Sequence, residues 1–125
     1  MKKVISSTNA PKAVGPYSQA IFAGNTLYIS GQIPVDPKDG KIASTIEQQT
    51  AQCLKNIDAI LKEASLTKEN VVKTTVLLSD MNNFAAMNGI YAEYFTVDMP
   101  ARACYEVVKL PLGVMVEIES VAVKF

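Results

Sequence analysis

The 125-residue sequence contains no histidine. That removes Ser-His-Asp and Cys-His nucleophile pairs, histidine-ligated zinc and an imidazole general base. Any acid–base chemistry must rest on Glu, Asp, Lys, Tyr, Cys, the backbone or water. Cysteine is nearly absent too. Two residues, Cys53 and Cys104, make no disulfide scaffold and cannot supply a four-thiolate zinc site. Net charge is missing: 12 basic residues balance 12 acidic ones. The chain as a whole therefore carries no basic footprint for nucleic acid. Long apolar runs are also missing, and no stretch approaches the roughly 20 residues of a membrane-spanning helix. In the opening "MKKVISSTNAPK" the apolar run is Val4 and Ile5, against about 7–15 residues in a signal-peptide core. The expectation is a soluble, reduced, cytoplasmic protein.

Hydrophobic residues make up 49% of the chain and charged ones 19%, enough for one globular domain over residues 1–125 with a real core. No repeat or linker interrupts it. "YSQAIFAGNTLYISGQ" reads as two strands joined at Gly24-Asn25, where both residues tolerate the positive φ of a two-residue hairpin. "PVDPKDGK" is a loop. Ser44 with Glu47 carries a capping-box signature. After it, Ile46, Thr50, Cys53, Leu54, Ile57, Ile60, Leu61 and Ala64 fall on one helical stripe. Cys53 on that stripe reads as a buried thiol. "LTKEN" is a turn with Thr67 as its cap, and "VVKTTVLLS" is a strand. Asp80 then caps a second helix, "MNNFAAMNGIYAEYF", whose Phe84, Met87, Tyr91 and Tyr94 read as core. "ARACYEVVKL" and "VMVEIESVAVKF" are the last strands.

The order strand, strand, strand, helix, strand, helix, strand, strand predicts an α+β fold with two helices on one face of a mixed sheet. Yet the last strand is apolar on both sides, with Val116, Ile118 and Ala122 against Val121, Val123 and Phe125. "VLL" in the fourth strand is also two-sided. A second apolar face must be buried somewhere, and in so small a chain the available cover is another copy of itself.

Polar groups interrupt these strands. In "PARACYEV", Arg102, Cys104 and Glu106 share one face and Ala103, Tyr105 and Val107 the other. A desolvated Arg102 has two readings. It pairs with Glu106, Glu117 or Glu119, or it offers its planar fork to an incoming carboxylate. Glu117 is likewise half of an ion pair or a base, because burial raises a carboxyl pKa while a nearby arginine lowers it. Cys104 reads more readily as a buried thiol than as a nucleophile. Ser30, Gly31 and Gln32 end an apolar strand, and Tyr17 follows Gly15-Pro16.

Taken together, "GPYSQA", "LYISGQIP", "VVKTTVLLSDMNNFAAMNGIYAEYF", "PARACYEV" and "LPLGVMVEIESVAV" resemble the RidA/YjgF family, the reactive intermediate deaminases. The resemblance runs from about Ser7 to Val123. It implies a chorismate-mutase-like fold with a six-stranded sheet, and a homotrimer with ligand sites between subunits. It implies hydrolysis of 2-imino acids, such as 2-iminobutanoate and 2-iminopropanoate, to 2-oxo acids and ammonia, with no metal or organic cofactor. Carried over by residue, Arg102 grips the substrate carboxylate and Glu117 orients or activates water. Cys104 walls the pocket, contacting the imine nitrogen through its backbone carbonyl more than its thiol. Tyr17, Ser30, Gly31 and Asn88 line the pocket, with Lys73 and Tyr91 at its rim. Departures are Ala103, where the family often has serine, and Leu112-Gly113, where it often has a charged pair. Two further readings stand beside the deaminase. One is a non-catalytic trimeric binder of 2-oxo acids that acts as a regulator. The other is an endoribonuclease or translation inhibitor, which the zero net charge and lack of histidine oppose.

Overall fold

The structure, a computed structural model, describes residues 1–125. Six strands form one sheet: β1 (Lys2–Ile5), β2 (Ala20–Ala23), β3 (Thr26–Gln32), β4 (Val71–Leu78), β5 (Ala101–Glu106) and β6 (Val116–Val123). Two α-helices, α1 (Ile46–Glu63) and α2 (Phe84–Tyr94), pack against it. The spatial order is β1-β2-β3-β6-β4-β5. All pairs are antiparallel except β4 and β5. A parallel pair needs a crossover, and α2 supplies it. The predicted element order and mixed sheet are both present.

The hairpin between β2 and β3 turns at Gly24-Asn25, with Ala23 opposite Thr26. Only the glycine takes a positive φ, 59°, which suits a turn needing left-handed backbone at its first central residue. The start of α1 differs from the sequence reading. Its cap is Thr45, one residue beyond Ser44: the Thr45 hydroxyl accepts from the Gln48 backbone N–H at 3.2 Å. Gln48 is thus the third residue of the helix in place of Glu47. Asp80 caps as predicted, but on a 3-10 turn (Met81–Asn83) that feeds α2.

The stripe on α1 is buried as the spacing predicts, from Ile46 to Leu61. Burying each Leu or Ile contributes about 1.5–3 kcal/mol. Two polar residues join it. Asn56, fully buried, donates to the carbonyls of Ile33 and Val35. Gln49 donates to the Ala43 carbonyl and accepts from the Met115 N–H. These bonds tie loop backbone to the helix. Leu27, Ile29, Val76, Leu78, Val116, Ile118 and Ala122 meet the helices from the sheet. The alternate residues Tyr28, Leu77, Glu117, Glu119, Val121 and Val123 face away and stay half-buried or exposed. The helices therefore cover one face only.

Candidate active site

Arg102 sits on β5, at the edge of the sheet. It is in register with Thr74 of β4, and Thr74 is fully buried under α2. Cross-strand partners share a face, so Arg102 and Cys104 point toward the helices, and Ala103 points away, as the alternation predicts. The guanidinium lies 4.7 Å from the Tyr91 ring centroid and 5.5 Å from that of Phe84. Its hydrogen bond goes to Asn88 Oδ1, 2.8 Å away. Both rings and Asn88 belong to α2. The internal ion pair that the sequence left open does not form in this chain. The ion pair present is Lys62–Asp58, on the outside of α1, while Glu106 caps the Met81 N–H. Arg102 is a half-buried cation held by a neutral amide and two aromatic faces. Beside it, burial pushes the Cys104 thiol up, only partly countered by the Arg102 charge. A protonated thiol is a poor nucleophile.

Glu117 lies on the opposite face. It pairs with Leu77 in β4, three residues along from Thr74 in an unbroken register, and an odd step reverses the face. Its carboxyl is raised above the ordinary range, first by burial and then by the neighbouring Glu119 charge. No arginine on that side lowers it. Gly31 makes room for this side chain: a Cβ built there would come 2.9 Å from Glu117 Cδ and 3.3 Å from Cγ. The glycine sits in the irregular pairing between Ile29 and Gln32 that bends β3. Here it serves close approach, since its backbone is not left-handed.

Tyr17 and Ser30 border the same region. The Ser30 hydroxyl donates to the Ser18 carbonyl at 2.6 Å, and its N–H donates to the Gln19 carbonyl at 2.9 Å. Its main work is to pin the Gly15–Tyr17 loop to β3. Buried Gln19 pins the other side, bonding Ser7 and Pro11. Tyr17 is exposed on the ridge between two surface hollows. One, of about 490 Å³, is lined by Ser30, Lys73, Thr75, Glu119 and Val121. The other, of about 600 Å³, reaches Gly31 and Leu112.

The predicted residues thus form two groups within one chain. Arg102, Cys104, Asn88 and Tyr91 gather beside α2. Glu117, Gly31, Ser30, Tyr17 and Lys73 gather on or beside the uncovered face. Two residues that the sequence does not single out for the site belong to the first group: Thr74, whose hydroxyl meets the Tyr91 hydroxyl at 2.7 Å, and Phe84, which helical spacing assigns to the core. The signal for Thr74 was a hydroxyl among apolar residues of the same parity in "VVKTTVLL"; nothing in the sequence named its partner.

Residues 7–124 match the family model described as Endoribonuclease L-PSP. The chain belongs to the RidA/YjgF family. It is 56% identical to a RutC family protein of Pyrococcus horikoshii, over 99% of both chains. It is 51% identical to a mouse protein named 2-iminobutanoate/2-iminopropanoate deaminase, over 99% of this chain and 93% of the relative. Among solved structures, a Yersinia pestis protein of the conserved Rid family superposes with a TM-score of 0.97 at 50% identity, covering 99% of this chain and all of the other. The α+β fold reached from sequence is therefore the RidA/YjgF fold. Names within the family divide between deaminase, endoribonuclease and the uninformative RutC label.

Proposed function

We propose that this protein hydrolyses small 2-imino acids to 2-oxo acids and ammonia. The observation that carries the reading is the state of Arg102. Its guanidinium offers five N–H donors, yet its side-chain bond is to one neutral amide, and no carboxylate of the chain lies within ion-pairing distance of it. A fork held ready on aromatic rings suits a bidentate bond to a substrate carboxylate. The 51% identity to a protein named for this reaction points the same way.

Arg102 and Glu117 lie on opposite faces of one sheet, so a complete site takes them from two copies of the chain. The exposed Tyr28 and half-buried Val121 and Val123 on the uncovered face give those copies a surface to share. A homotrimer is the assembly proposed. In the joined site Arg102 fixes the carboxylate, with the imine carbon beside it. Glu117 takes a proton from a water attacking that carbon. A C–O bond forms, the imine π pair moves to nitrogen, and Glu117 passes its new proton to that nitrogen. Glu117 then carries the carbinolamine's hydroxyl proton to the amino nitrogen, so that the C–N bond breaks, ammonia leaves and the carbonyl forms. Positioning and one base suffice, because such imines already hydrolyse in water. No metal or organic cofactor is invoked.

The test couples the protein to a threonine dehydratase acting on threonine and follows release of 2-oxobutanoate from the imine. The expected result is faster release, cut to a small residue in Arg102→Ala and in Glu117→Ala. Ligand binding kept in both the wild type and Glu117→Ala, with no acceleration by either, would favour the regulatory binder. RNA binding that falls steeply with salt would revive the ribonuclease reading.

A further inference from the structure

We infer that Tyr91, tied to Thr74, is a positioning residue that sets the angle at which Arg102 meets the substrate's carboxylate; this rests on the function proposed above. The structure closes a ring of contacts around the guanidinium. Arg102 on β5 pairs in register with Thr74 on β4. The Thr74 hydroxyl bonds the Tyr91 hydroxyl at 2.7 Å. The Tyr91 ring then returns to lie 4.7 Å from the guanidinium carbon. A ring anchored at its far end cannot tilt freely, so the face it offers the cation is fixed.

Packing alone does not require this arrangement. Tyr91 and Thr74 are 6% and 0% exposed, and at such a site a Phe and a Val would fill the same space. Replacing both partners of a buried hydrogen bond by apolar isosteres is close to neutral for stability. The hydroxyl pair therefore specifies orientation more than it adds stability. A further hydroxyl, Ser120, stands beside Thr74 in register yet has no partner. Thr74 is committed to Tyr91 in its place. On the other side of the guanidinium, Asn88 restrains one NH group and the Phe84 ring lies 5.5 Å off. Two rings and an amide leave the remaining donors to point away from α2, toward an arriving acid.

The experiment is steady-state kinetics on Tyr91→Phe, Thr74→Val and the double variant, in the wild-type and the Arg102→Ala backgrounds. In the wild-type background KM should rise about threefold to tenfold, the size of one neutral hydrogen bond's net contribution, while kcat changes less than about twofold. The double variant should match the worse single variant, since the two hydroxyls act as one unit. In the Arg102→Ala background the same substitutions should leave the small residual kcat/KM, read at high enzyme concentration, unchanged. The inference is overturned by an active wild type whose KM ignores all three changes. It is equally overturned if the losses persist without Arg102, because the pair is then only structural. A wild type that accelerates nothing and binds no 2-oxobutanoate removes the proposed function and this inference together.

Discussion

At the scale of single residues, Glu117 carries a conflict between stability and chemistry. Its carboxyl is raised by burial and by Glu119, so the folded state favours the neutral form. A group whose folded pKa exceeds its unfolded one contributes stability below the unfolded pKa and loses it as pH rises through the folded pKa. At neutral pH the ionised side chain is therefore a cost. In the dissociated chain, where no arginine faces it, Glu117→Gln should be more stable than the wild type at pH 7, by under about 1 kcal/mol because solvent screens a half-exposed site. That difference should close as the pH falls into the ordinary carboxylate range. The same variant should lose about 10²–10⁴ in turnover, the usual contribution of a positioned base. Thermal melts across pH alongside the coupled assay check both halves; a destabilised but active variant would contradict them. Gly31→Ala probes the same carboxylate from beneath. The atoms nearest the new methyl are those of the Glu117 side chain, so turnover should fall about tenfold or more if the base is displaced. Melting temperature should drop by less than about 4 °C, the shift that roughly 1 kcal/mol produces in a chain of this size. Activity equal to wild type would mean Glu117 needs no fixed place.

At the scale of elements, the sequence disclosed what depends on local period and left out what depends on partners. The α1 stripe, the glycine hairpin and the two-sided β6 follow from spacing, and each is present. The cap of α1 does not follow so simply. Ser44 and Thr45 are adjacent hydroxyl residues with Glu47 and Gln48 in matching positions, so two capping boxes one residue apart are equally legible. In the structure the second forms, with the Thr45 hydroxyl accepting from the Gln48 N–H. Thr45→Ala should therefore destabilise the fold by about 1 kcal/mol, and Ser44→Ala should leave it unchanged; urea denaturation of both variants separates the two registers. The buried Asn56 and Gln49 were hidden for a related reason. Their partners are carbonyls and an N–H of distant loops, which no helical period encodes. Thr74 and Tyr91 are the same case across strand and helix.

At the scale of the whole molecule, strand alternation told which residues share a face but not which face each strand turns to the helices. In sequence, Arg102 and Glu117 both read as polar residues in apolar strands, one parity each. Only the order β6-β4-β5 and its registers put Arg102 under α2 and Glu117 on the far side. That separation makes a sharp prediction about assembly. If each site joins Arg102 of one copy to Glu117 of the next, Arg102→Ala and Glu117→Ala are each nearly inactive alone but complement each other in a mixed ring. In an equal mixture, a given interface has an intact arginine on one side with probability one half, and an intact glutamate on the other with probability one half. Random reassembly should therefore restore about a quarter of the wild-type sites, whatever the ring's number of subunits. Mixing the two variants after mild dissociation, confirming hybrid rings by native mass and then measuring imine hydrolysis tests this directly. Hybrid rings with no activity would mean that both groups must come from one chain. Arg102 and Glu117 could not then act on the same substrate, because the sheet itself stands between them.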